Sequence, residues 1–226
     1  MSFQDFLTDA LSPSWWQKKI NVPFIGQEFP ASFFTLMFAR LKNLNVLPAP
    51  YQKIHIELIE KKEMHATLYQ APLGMNSFFW LGNLSELKDT KDLQQKLSVY
   101  QGPHHIAYFI KTGPLVGKSS DNNITIPTTL DFILLEQLAQ FLNITLDAKK
   151  KAIVRRLFSN INGLNIETCC MLLQYLELMN SKTIDQCLPF LNNMVGQAPM
   201  LSTLSEAFFA QQPSRFFPIW STLEKE

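Results

Sequence analysis

The sequence predicts an α/β fold in which a parallel sheet with flanking helices is followed by an all-helical half. Three observations predict it. Strand-like and helix-like segments alternate through the first 127 residues, the pattern that parallel pairing through right-handed crossovers requires. Two of the strand-like segments, "NSFFWLGNL" (76–84) and "HHIAYFIKT" (104–112), are near-continuous apolar runs, which suits central strands covered on both faces. Beyond Thr128 the period changes and every segment reads as a helix.

Taken in order, "FQDFLTDAL" (3–11) places Phe3, Phe6, Leu7 and Ala10 on one helical face, and Pro13 ends the pattern. After the pair Trp15-Trp16, "INVPFIG" reads as a short buried strand closed by Gly26. Pro30 opens the apolar helix "PASFFTLMFARLKNL", since proline suits a first helical turn. "KIHIELIE" (53–60) alternates Ile54, Ile56 and Leu58 with polar neighbours as a strand does, and "KKEMHATLYQA" is helical with its boundary at Pro72. The strand 76–84 follows. Next comes an amphipathic helix, "SELKDTKDLQQKLSVY", with Ser85 as its expected cap and Leu87, Leu93 and Leu97 on its apolar face, then the strand 104–112. The second half holds helical patterns such as "TTLDFILLEQLAQFLNI", "LDAKKKAIVRRLFSNI" and "NIETCCMLLQYLELM". They are separated by caps and breakers at Asp147, Gly163, Thr183 and Gly196. "TIDQCLPFLNNMV" and "LSTLSEAFFAQQ" continue them, and Pro213 interrupts a last apolar helix.

Composition narrows the function classes. A net charge of +1 sets up no global field for nucleic acid or acidic lipid, so any such binding needs a local patch. Three cysteines, two of them adjacent at Cys169-Cys170 and the third at Cys187, form neither a disulfide framework nor a zinc pattern. The N-terminus lacks the basic start and apolar core of a signal peptide, and no run approaches the roughly 18 apolar residues of a membrane span. A cytoplasmic protein is expected.

One motif invites a nucleotide. "GPLVGKSS" (113–120) follows an apolar strand as a phosphate loop would, but only three residues separate Gly113 from Gly117 where the loop needs four. Lys118-Ser119 then runs into the turn chemistry of "SDNNITIP" instead of the helix whose N-terminal amides complete an anion site. Both tests fail, and the motif reads as a strand exit. Other chemistry is equally sparse. His104 and His105 precede a strand without acidic or thiol partners at metal-ligand spacing, and His55 and His65 are isolated. No Gly-x-Ser-x-Gly elbow is present, and Cys169-Cys170 falls on a helical pattern as core. Lys149, Lys150, Lys151, Arg155 and Arg156 share one helix and form a weak candidate for DNA phosphate contact, against the plainer reading of a solvated basic face. The remaining feature is "APLGMNSFFW" (71–80), where Pro72, Leu73, Gly74 and Met75 make an apolar loop tip, and loops normally face water.

Several segments together resemble the delta subunit of bacterial DNA polymerase III, the clamp-loader subunit that opens the sliding clamp. "VPFIGQEFPASFFTLM" is similar to that family's opening strand and degenerate G-x-E turn, with Gly26 and Glu28 at the matching places. "LYQAPLGMNSFFWLGNLSEL" resembles the helix, loop and strand that carry its clamp-contacting tip, and "LQQKLSVYQGPHHIAYFI" the following helix and strand. "NINGLNIETCCMLLQYLELMNSKTIDQCLPFLNNMV" resembles its lid domain, and "LSTLSEAFFAQQPSRFFPIWSTLE" the start of its third domain. The family's Leu-Phe clamp contact matches Pro72 and Leu73 here, which keep apolar bulk and lack the aromatic ring.

The resemblance implies three parts: an AAA+-like α/β domain without a phosphate loop over 1–127, a helical lid over 128–197, and the start of a helical collar-like region over 198–226. It implies a non-catalytic protein with no cofactor and no metal. Its partners would be the sliding clamp and sister loader subunits, with DNA touched only indirectly and no membrane. Pro72, Leu73 and Met75 would form the clamp contact. The competing expectation is a nucleotide- or small-molecule-dependent enzyme on the same α/β fold, using the 113–119 loop and Lys118. A third is an adaptor working through the helical half alone.

Overall fold

The computed structural model describes residues 1–54, 61–71, 74–86, 90–112, 123–159, 161, 163–179, 184, 186–191 and 195. Helices α1 (Phe3–Asp9) and α2 (Pro13–Gln17) lead into β1 (Asn21–Gly26), α3 (Ala31–Asn43) and β2 (Tyr51–Lys53). Then come α4 (Lys61–Tyr69), β3 (Phe78–Asn83), a 3₁₀ turn (Leu84–Glu86), α5 (Thr90–Ser98), β4 (His105–Lys111) and β5 (Ile124–Thr125). The second half contains β6 (Thr129–Leu130), α6 (Phe132–Leu142), α7 (Ala148–Phe158), β7 (Leu164–Asn165) and α8 (Ile166–Leu178).

The first five strands form one parallel sheet in the order β2-β3-β4-β1-β5. This is the α/β architecture the alternating pattern predicts. Because parallel crossovers are right-handed, the long step from β1 to β2 and the return steps through β3 to β4 place their helices on opposite faces. Side-chain alternation agrees. Val22, Phe24, Phe78, Trp80, Ala107 and Phe109 pack with α3, while Phe79, Leu81, Ile106 and Tyr108 pack with Leu68 of α4 and Leu97 of α5. The two faces differ in kind. The α3 face is a network of aromatic rings in which Phe34 lies 5.0 Å from Phe24 and 4.6 Å from Trp80, and Phe6 lies 5.3 Å from Phe24. That core runs on without a break into the second half, through Leu135, Leu138, Phe141, Cys169, Leu172 and Leu176.

Several boundaries differ from the sequence reading for local reasons. Pro13 stands at the first position of α2 as well as beyond the end of α1, since a missing N–H costs nothing there. The strand expected over 53–60 is described as Tyr51–Lys53, and His55, Ile56 and Leu58 lie outside the described residues. Ser85 does not cap α5: its hydroxyl accepts from the Lys111 N–H at 2.6 Å, and a 3₁₀ turn stands where the helix was expected to begin. Gly82, at φ +73, lies where the β3–β4 register shifts between Trp80 and Asn83, a left-handed conformation that glycine adopts without strain. The second half is not purely helical, because β6 and β7 pair antiparallel and bring Leu130 opposite Leu164. Two-residue strands fall below what periodicity can detect.

Helices α6, α7 and α8 each have a side-chain cap, of which Asp147 is the one expected from the sequence. Asp131, Asp147 and Asn165 accept from the N–H groups of Leu134, Lys150 and Thr168. At the β5 edge the chain's own start covers the open strand, with the Met1 ammonium donating to Asn123 O and the Thr125 N–H donating to Met1 O. No helix among the described residues is long and apolar enough to cross a membrane.

Candidate functional site

Two places in this sheet are where function would be sought. The first is the carboxyl end of β1. There β1 sends the chain toward β2 and the neighbouring β4 sends it the other way to β5, and such a reversal opens the crevice in which α/β sheets hold ligands. In a nucleotide site the turn after β1 wraps a phosphate and the next helix points its free N–H groups at it. Here the turn is short, four residues (27–30) between Gly26 and the start of α3, and one of them is the aromatic Phe29. The Phe29 ring stacks 5.4 Å from Phe34 and lies 5.3 Å from Phe109.

The N-terminus of α3 is also already taken. The Ser32 N–H donates to the Glu167 carboxylate, at 2.9 Å to Oε1 and 3.2 Å to Oε2, across 135 residues of sequence. Glu167 stands in the first turn of α8, so its negative charge lies near the positive ends of two helix dipoles. The anion position of the fold is therefore filled from within by a carboxylate, whose charge opposes an incoming phosphate. Glu28, in the turn matched to the G-x-E pattern, is exposed. The motif 113–120, with Lys118, lies outside the described residues.

The second place is the loop between α4 and β3. Pro72 and Leu73 lie outside the described residues, and the flanking positions define the frame. The Gly74 N–H donates to Ala71 O, and Gly74 takes φ +72, a tight turn that a side chain would strain. Directly after it Met75 is 65 % exposed, and Tyr69 before the loop is 40 % exposed. Among the described residues of this loop, the apolar side chain presented to solvent is thus that of Met75.

Both ends of that loop are tied to one buried side chain. His104, 2 % exposed, accepts from the Ser77 N–H on Nδ1 at 3.0 Å, which leaves the proton on Nε2 to donate to Gln70 O at 2.9 Å. The hydroxyl of Tyr100 donates to Leu68 O at 2.7 Å and accepts from the His104 N–H at 3.2 Å. Phe79 lies against the imidazole with ring centroids 4.7 Å apart. The loop 71–76 is consequently held at its base by His104 and the buried Tyr100, while Met75 within it is exposed. Sequence reading placed His104 at a strand edge with no role. The signal was the single long-range fact that a strand-entry histidine faces a loop end, and no local pattern carries it.

The predicted basic face on α7 is only partly brought together. Lys150 is buried at 9 % exposure, Lys151 pairs with Glu136 at 3.0 Å, and the Arg155 guanidinium sits 5.1 Å from the centre of the Phe132 ring. Arg155 and Arg156 lie in the last turn of α7, where the helix dipole favours cations, and Arg156 is exposed. Cys169 and Cys170 are core residues, as their helical pattern suggests, and burial pushes both thiols up, Cys170 to about 12. No three His, Cys, Asp or Glu side chains among the described residues are grouped to hold a metal ion. No family model matches the sequence, and no curated protein matches it.

Proposed function

We propose that this chain is a non-catalytic, clamp-loader delta-like protein: an AAA+-like scaffold with a helical lid that binds a sliding clamp and sister loader subunits and uses no nucleotide of its own. The observation that carries the reading is the tip loop, an apolar turn clasped at its base by His104 with Met75 in solvent. In this reading Leu73 and Met75 enter an apolar pocket on the clamp, where a few buried anchors supply most of the binding energy. Binding then favours whichever clamp conformation fits the tip better, including one with an open interface. The parallel sheet followed by helices, and the Glu167 carboxylate at the start of α3, support the same reading.

The test is surface plasmon resonance of the full chain against the sliding clamp of its own organism. Saturable binding is expected, with a loss of at least tenfold in Leu73→Asp and in Met75→Asp while both variants melt as the parent does. Binding that survives both substitutions removes the tip from the interface, and absence of binding up to tens of micromolar overturns the reading. Titration with ATP and with GTP by calorimetry is expected to give no heat. Heat that disappears in Lys118→Ala would replace this proposal with a nucleotide-dependent enzyme.

A further inference from the structure

A groove of about 470 Å³ runs between α3 and the β2 edge of the sheet, away from the tip loop. Its floor is aromatic, built from Phe34, Phe38, Tyr51 and Trp80, and its helical wall is made of the small residues Ala31, Thr35 and Ala39. Lys42 and Lys53 stand on its rim, both exposed and neither within ion-pair distance of a carboxylate among the described residues. The acidic rim residue, Glu86, already accepts from the Asn83 side-chain amide at 2.8 Å.

Among the described residues the strand beside the groove pairs on one side alone. The Ile54 N–H donates to Trp80 O and Pro50 O accepts from the Phe78 N–H, so the even-numbered residues of β2 face β3. By strand alternation the N–H and C=O groups of Tyr51 and Lys53 point to the outer edge, where no further strand pairs among the described residues. The groove therefore offers, side by side, a row of backbone hydrogen-bonding groups, an aromatic trough and two cations without an ion-pair partner among the described residues.

From this juxtaposition we infer that the β2 edge and its groove are a docking strip for an extended, acidic segment of a partner protein. The segment adds as a strand beside Tyr51–Lys53, places an apolar side chain over Phe38 and Tyr51, and sets carboxylates against Lys42 and Lys53. A peptide backbone satisfies the edge, which a small ligand or a nucleobase does not. The carboxylates fit the rim, which a basic or neutral peptide does not. The site is separate from the tip loop and does not rest on the clamp-loader reading.

The test is selection of random twelve-residue peptides from a display library on the immobilised full chain. Affinities of the enriched peptides are then measured by fluorescence anisotropy against the parent and two variants. Enrichment of Asp or Glu flanking Leu, Phe or Trp is expected. Binding should weaken at least tenfold in the double variant Lys42→Glu/Lys53→Glu and in Ala39→Trp, which fills the groove from an exposed helical position, and should fall with added salt. Enriched peptides without acidic residues, or peptides that bind both variants as they bind the parent, overturn the inference. Labelled oligothymidylate serves as the second probe: tight binding of it that both variants abolish would instead assign the groove to single-stranded nucleic acid.

Discussion

The two faces of the sheet are built from alternating residues of the same strands, yet they do different work. On the α3 face the large aromatic residues Phe24, Phe34, Phe78, Trp80 and Phe109 belong to one core with residues of α1, α6 and α8, so that face ties the two halves together. On the other face a smaller cluster of Ile54, Leu68, Phe79, Leu81, Leu84, Leu97, Tyr100, Ile106 and Tyr108 lies under α4 and α5. The second face also carries the His104 and Tyr100 hydrogen bonds that hold the tip loop. Burial of large rings makes the first face the keel. A thinner layer makes the second the face on which the loop 71–76 is anchored at its base with Met75 exposed, and local opening is cheapest where the least apolar area is buried.

The largest effect should come from breaking the keel. Phe24→Ala, which removes a fully buried ring, is expected to cost about 3–5 kcal/mol and to destabilise both halves together, seen as one cooperative transition of lower midpoint in urea. Leu97→Ala, on the thin face, is expected to cost about 2–3 kcal/mol, with hydrogen exchange rising in α4, α5 and the loop 71–76 before it rises in α6 or α8. Equal exchange in both regions would erase the distinction between the faces.

A smaller effect is expected at the joint between halves. Glu167→Ala leaves the Ser32 N–H without its partner and should cost about 1–3 kcal/mol, while Glu167→Gln keeps an acceptor, loses the charge, and should cost about 1 kcal/mol or less. Thermal melts of the two variants separate the hydrogen bond from the charge, and identical losses would assign the whole effect to the charge.

The smallest effects sharpen the comparison by titration. Cys169 and Cys170 should resist a thiol reagent in the folded protein, while Cys187, which is partly exposed, reacts. Burial raises the Cys170 thiol from about 9 to about 12 and the Tyr51 phenol from 10.0 to about 12. The folded protein therefore keeps protons that the unfolded chain releases. Stability is then full below pH 9 and falls as pH rises from about 9 toward 12, beginning with the thiols of the keel. Stability that is flat over this range would mean that those groups are already hydrated.

Much of the sheet was legible because each central strand is a long apolar run bounded by breakers, as in "NSFFWLGNL" and "HHIAYFIKT", and such runs leave few alternatives. The apolar tip at Met75 was legible for the opposite reason, since bulk hydrophobic residues between a helix and a strand stand out against loop chemistry. What escaped were elements decided by partners far away in sequence. Ser85 has the chemistry of a helix cap and is drawn off by Lys111. Thr129–Leu130 exists as a strand only because Leu164–Asn165 lies beside it. Lys150 belongs to a basic run and is nevertheless buried, because α7 turns that position inward next to Ile153 and Val154.

The sequence by itself determined the α/β class of this protein and the places of its central strands and most of its helices along the chain, since period and breakers are local properties. Only the tertiary structure decided that Glu167 fills the start of α3, that His104 joins Gln70 to Ser77, and that Lys42 and Lys53 border one aromatic groove. Each of these brings together groups separated by up to 135 residues. A hydrogen bond across such a distance depends on how the layers pack, and packing is a property of the whole chain.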